Sequence, residues 1–171
     1  TTLNQLQSIT LVQTRKDITY TANICTVDRY LQICKENKVF PVIELKWGIG
    51  LNNNDMKLFP VLYELIEKHG LIEEAVILTS MQQSIEYIRT NYPQLTCQWL
   101  RHTVKEEDYA WCKQWDVALS VAHTSVTEEV IARSKEMGKV VATWTVNQVA
   151  DYERVKELGC KYVTTDYREI N

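Results

Sequence analysis

Val39-Phe40-Pro41-Val42-Ile43-Glu44-Leu45-Lys46 reads as a β-strand, because β-branched and aromatic residues run through it without a helical stripe. The segment before it, Thr26 to Lys38, opens on a residue able to cap a helix and carries Val27, Tyr30, Leu31 and Cys34 at helical spacing. In the segment after it, Asp55 to His69, the residues Leu58, Leu62, Leu65 and Ile66 share one stripe, and Gly70 stands where a glycine stops a helix. Helix, strand and helix in succession are the parts of a parallel sheet.

The same unit recurs to the end of the chain. Ala75 to Ser80 is strand-like; Met81 to Thr90 is helical and stops ahead of Pro93; Leu95 to Leu100 is a weaker strand. A helix over Lys105 to Trp115 precedes a strand over Asp116 to Val121. Ser125 and Glu128 have capping-box spacing for a helix ending at Gly138, and Lys139 to Val146 follows as a strand. Asn147 is the expected cap of the last helix, Gly159 its end, and Tyr162 to Asp166 the last strand. Short loops and near-continuous apolar strands fit a parallel sheet made of right-handed βαβ units. Two architectures satisfy the pattern: an open six-stranded parallel α/β sheet, or a TIM-type (β/α)8 barrel of which this chain supplies about six strands. A barrel needs eight strands and typically about 250 residues, so pattern alone favours the open sheet.

With 171 residues, the chain is expected to be a single domain over 1–171. Five Gly and three Pro without a repeat exclude collagen-like and disordered classes. The 19 basic and 22 acidic residues leave a net charge of -3, which gives no field suited to nucleic acid or an anionic membrane. No apolar run reaches the roughly 18 residues of a membrane span. The five cysteines are scattered, with no CxxC, so buried free thiols are expected, and a cytoplasmic setting is favoured over an extracellular one. TTLNQLQSIT at the start has neither the basic nor the apolar region of a leader.

Chemistry concentrates at two strand ends. Alternation sets Glu44 and Lys46 on the face of Val42, with Ile43 and Leu45 on the other. The end of a buried parallel strand is where ligands bind. The carboxylate there suits a hard divalent cation and the ammonium a phosphate, while a plain ion pair accounts for the same two residues. In Trp144-Thr145-Val146-Asn147, alternation puts Val140, Ala142, Trp144 and Val146 together, so the indole can wall a small ligand or simply fill the core. His123, just after a strand, reads as a solvated loop histidine.

Phe40-Pro41-Val42-Ile43-Glu44-Leu45-Lys46, Trp144-Thr145-Val146-Asn147 and Thr164-Thr165-Asp166-Tyr167, in this order, resemble the glycerophosphodiester phosphodiesterase family. Cys25-Thr26-Val27-Asp28 resembles that family's Pro-Thr-Leu-Glu segment with Cys for Pro, and Ile77 to Met81 stands at its Ser-Phe turn. The likeness runs from about Thr1 to Tyr167. It implies a barrel enzyme that uses Ca2+ or Mg2+ to hydrolyse glycerophosphodiesters to glycerol 3-phosphate and an alcohol. By the same resemblance Glu44 is one of three metal carboxylates, Lys46 is catalytic and meets the phosphate, and Trp144 lines the glycerol side.

The family's His-Arg, Glu-x-Asp and His-Asp motifs are not in this sequence, since His69, His102 and His123 lack the Arg or Asp neighbour. The expectation is therefore strands three to eight of a barrel, with the catalytic histidines in an upstream segment and little turnover by this chain alone. A non-catalytic barrel module for binding or assembly is the competing expectation. No GxGxxG or GxxxxGK supports a nucleotide-binding open sheet.

Overall fold

The computed structural model describes residues 1–15, 17–46 and 56–167. It opens with a short helix, α1 (Leu3–Gln7), and an antiparallel hairpin of β1 (Thr10–Arg15) and β2 (Ile18–Asn23). The hairpin has no counterpart in the sequence reading. Its strands are exposed almost throughout, so no buried face imposed a clear apolar alternation.

Helix α2 (Val27–Asn37) leads into β3 (Val42–Glu44), followed by α3 (Phe59–Lys68), β4 (Val76–Thr79), α4 (Gln82–Asn91) and β5 (Thr96–Arg101). Then come α5 (Glu106–Trp115), β6 (Ala118–Ala122), α6 (Glu128–Glu136), β7 (Val141–Trp144), α7 (Val149–Leu158) and β8 (Tyr162–Val163). The six later strands form one parallel sheet in the order β3-β4-β5-β6-β7-β8. A doubly wound sheet reverses its order at a switch point and carries helices on both faces. Here the order never reverses, so right-handed crossovers put the helices on one face and curl the sheet into a half-barrel. β3 and β8 each pair with a single neighbour and not with each other. Strand order is that of the barrel, and the open edges are those of the alternative.

The helix-facing strand residues Ile77, Cys97, Leu119, Val121 and Val141 are buried against Leu31, Ile66, Ile85, Ile88 and Val130. Each large apolar side chain so covered contributes about 1.5–3 kcal/mol. Two threonines are buried on the same side, and both are satisfied. Thr79 Oγ1 donates to the Leu45 carbonyl at 2.9 Å and Thr143 Oγ1 to the Val121 carbonyl at 2.8 Å, each stitching a strand to its predecessor near the C-terminal end. All five cysteines are free; Cys34, Cys97 and Cys112 are buried and Cys160 partly so, while Cys25 is exposed, against the expectation of burial. No helix among the described residues is long and apolar enough to cross a membrane.

Several boundaries move for local reasons. The strand expected over Val39 to Lys46 is regular only over Val42–Glu44, although the Pro41 carbonyl accepts from Val76 N–H and Leu45 N–H donates to the Leu78 carbonyl. Asp55, the expected start of the next helix, lies outside the described residues; α3 begins at Phe59 with a proline in its first turn, where the missing N–H is harmless. Asp116 is not strand but the left-handed end of α5, with φ 55°. Thr127, not Ser125, caps α6 by accepting from Val130 N–H at 3.3 Å. Ser125 belongs to a 3₁₀ turn over His123–Ser125.

Candidate functional site

The concave face of the sheet bounds a cavity of about 680 Å³ toward the N-terminal ends of the strands, where Val42, Leu78, Gln98, Ser120 and Ala142 meet Phe40, Glu74, Gln94, Asp116 and Lys139 from the segments that precede them. Glu44 and Trp144 do not line it: Glu44 is two residues beyond Val42 in β3 and Trp144 two beyond Ala142 in β7, so alternation sets both on the same face at the opposite, C-terminal strand ends. In parallel barrels that end is where the ligand sits.

Glu44 and Lys46 form an ion pair, with Lys46 Nζ 3.4 Å from Glu44 Oε2 and side-chain exposures of 72% and 38% for Lys46 and Glu44. A pair so open to water is weakly held, at roughly 0–1 kcal/mol, so neither group is committed to its partner. Three strands separate β3 from β7 in the sheet. Among the described residues no hydrogen bond, ion pair or ring contact joins Glu44 or Lys46 to Trp144.

The Trp144 indole is fixed by its Nε1–H, which donates to the Ser120 carbonyl at 3.1 Å. Its ring meets the imidazole of His102, with centroids 5.8 Å apart and planes at 56°. His102 follows the last residue of β5, Arg101, which is clamped from two sides. Arg101 Nε and Nη2 both donate to Asp108 Oδ2, at 3.1 and 3.0 Å, and the guanidinium stacks on Trp99 at 4.4 Å. Asp108 also accepts from Lys105 N–H at 2.9 Å, so it caps α5 and anchors the strand end together. Motif neighbours alone do not single out His102. Counting alternation from Gln98 through Leu100 to residue 102 places it on the concave face but does not give its partner.

The other two histidines face the helices. His69 Nε2 lies 2.8 Å from Asp28 Oδ1, which also takes Lys68 Nζ at 2.9 Å, tying the end of α3 to the first turn of α2. His123 is no solvated loop residue: its Nδ1 is 3.5 Å from Asp151, its carbonyl accepts from Arg154 at 2.8 Å, and only 21% of its side chain is exposed. Asn147 does not cap α7. It donates to Asp166 Oδ2 at 2.9 Å and accepts from Asp166 N–H at 3.0 Å, bracing the loop after β8. Asp166 also meets Arg15 of the hairpin at 3.2 Å. The Asn147 amide and then the Arg15 guanidinium hold the Asp166 carboxyl below the usual carboxylate range.

Glu44 offers the hard oxygen donor that a divalent cation prefers, but a single carboxylate falls short of the six or more oxygens such ions take. Among the described residues no three His, Cys, Asp or Glu side chains converge. Among the described residues, Glu44 thus offers part of a cation site and not a complete one.

The model of the Glycerophosphoryl diester phosphodiesterase family matches residues 1–170. No curated protein matches the chain. Among solved structures, a glycerophosphodiester phosphodiesterase from Parabacteroides distasonis superposes with a TM-score of 0.79 at 15% identity, over 96% of this chain and 66% of that one. An Oleispira antarctica phosphodiesterase in complex with the product sn-glycerol-3-phosphate gives 0.72 at 14% identity, over 85% of this chain and 58% of that one. A glycerophosphodiester phosphodiesterase from Agrobacterium tumefaciens gives 0.62 at 12%, over 85% of this chain and 59% of that one. The chain thus spans 58–66% of the length of these proteins.

Proposed function

The chain belongs to the glycerophosphoryl diester phosphodiesterase family, and from that premise we propose that the protein hydrolyses glycerophosphodiesters to glycerol 3-phosphate and an alcohol with Ca2+ or Mg2+. Water adds to phosphorus, the P–O bond to the alcohol breaks, and the alcohol leaves with a proton. The observation that carries this reading is Glu44 beside Lys46 at the C-terminal end of β3, the end at which parallel barrels take their ligands. Lys46 opposes the single negative charge of a phosphodiester, and its weak pairing with Glu44 leaves the ammonium free to turn to that anion. Glu44 would supply one oxygen ligand to such a cation, which would polarise the phosphoryl oxygens. Trp144, locked to the Ser120 carbonyl, presents a fixed apolar wall to the glycerol carbons.

The other carboxylates and the proton carriers of this reading lie in polypeptide outside residues 1–171. Its support is the unpaired edges of β3 and β8, where Val42 and Tyr162 are each 51% exposed. The test is release of glycerol 3-phosphate from glycerophosphocholine and glycerophosphoethanolamine by the full-length protein, with and without EDTA. Release that EDTA abolishes is the expected result, and no release from either substrate overturns it. The second reading, a non-catalytic barrel module, is favoured by the lack of a converging ligand cluster among the described residues. It expects binding of glycerol 3-phosphate without turnover.

A further inference from the structure

His102 stands just beyond the C-terminal end of β5 with its ring in tilted contact with Trp144, and neither the family motifs nor the ion pair at Glu44 gives it a role. Three observations bear on it. It follows an anchored residue, because Arg101, one residue before it, is held at two nitrogens by Asp108 and stacked on Trp99. The indole that its ring meets is itself fixed to the Ser120 carbonyl. Its ring nitrogens make no hydrogen bond or ion pair to the described residues, and the side chain is exposed. His69 and His123 differ on the last point, since each has a carboxylate partner.

An imidazole offers one donor and one acceptor nitrogen in its neutral form. An apolar wall such as Trp144 discriminates poorly between ligands of similar shape, whereas a polar group built to meet a hydroxyl rejects the analogue that lacks it. We propose that His102 is a substrate-binding residue that fixes specificity, with a ring nitrogen hydrogen-bonding a hydroxyl of the glycerol moiety while Trp144 packs against its carbons. This rests on the function proposed above and adds the group that selects glycerol over a deoxygenated diol.

The experiment compares full-length wild-type protein with His102→Ala, His102→Gln and His102→Asn. The substrates are glycerophosphocholine and its two deoxy analogues, built on propane-1,2-diol and propane-1,3-diol. For His102→Ala, loss of one such bond predicts KM for glycerophosphocholine rising about fivefold, more than kcat falls. Selectivity over one of the two analogues falls by the same factor. Gln, which can place its amide near Nε2, or Asn, near Nδ1, recovers part of that selectivity. Selectivity unchanged in His102→Ala while wild-type protein releases glycerol 3-phosphate overturns the role of His102 and leaves the hydrolase reading standing. Failure of wild-type protein to release it overturns both.

Discussion

The Arg15 guanidinium lies 3.2 Å from the Asp166 carboxylate and 5.4 Å from the centre of the Tyr167 ring, so the hairpin at the start of the chain is pinned to the loop after the last strand. A two-stranded hairpin is marginal on its own. Replacing Arg15 by Met should speed amide exchange across Thr10–Asn23 selectively. Global stability should change little, because the pair is open to solvent. Exchange as slow as in wild type would show that the hairpin is held by something else.

Asp28, Glu106 and Asp166 have carboxyls held below their ordinary values, chiefly by hydrogen bonds from Lys68 and His69, from Arg133, and from Asn147 and Arg15 respectively. A depressed carboxyl adds stability above its unfolded pKa, which is lost as pH falls through the folded value. Unfolding free energy should therefore hold its share from these groups near neutrality and lose it progressively below about pH 4. Denaturant melts from pH 7 to pH 2 measure this, and a stability that rises on acidification below pH 4 would contradict it.

Asp108 is 6% exposed and accepts from Arg101 twice and from Lys105 N–H. Asp108→Ala should cost about 2 kcal/mol, with water reaching the partly exposed Arg101 reducing the larger penalty of a fully buried break. The same variant should loosen His102 and erode selectivity for glycerol, whereas an equally destabilising Val130→Ala should not. Equal selectivity in the two variants would separate the clamp from the imidazole.

Glu44→Gln keeps volume and removes a charged oxygen. The full-length protein should need at least about tenfold more Ca2+ or Mg2+ for half-maximal activity, while stability stays within about 0.5 kcal/mol, as for an exposed substitution. Unchanged cation dependence would remove Glu44 from the ligand set.

Burial pushes the thiols of Cys97 and Cys112 up to about 12, and that of Cys160 upward as well. The thiolate is the reactive form, so these should resist Ellman's reagent at pH 8 in the native protein. Exposed Cys25 should be the first to react, and all five only after denaturation. Rapid native labelling of Cys97 or Cys112 would show that the packing around them opens.

The alternating order of helices and strands was legible in the sequence because burial repeats locally. Ile77, Leu119 and Val141 must face the helices, and a period of two follows from the pleat. Gly70 and Gly159 marked helix ends because both adopt positive φ, 62° and 101°, which glycine takes without strain. The Glu44-Leu45-Lys46 and Trp144 segments were legible for the same reason, as residues at strand ends on one face. Partners drawn from different elements were not. That Asn147 braces Asp166 rather than capping α7, that Thr127 displaces Ser125, and that His102 rather than His123 meets the indole all depend on competition between nearby hydrogen-bonding and stacking partners. Sequence thus determined which residues face inward and where the elements lie, because propensity and periodicity act over a few residues. Tertiary structure alone decided the sheet order, its open edges and the pairing of His102 with Trp144, because contacts between strands distant in sequence are set by how the curled sheet brings their ends together.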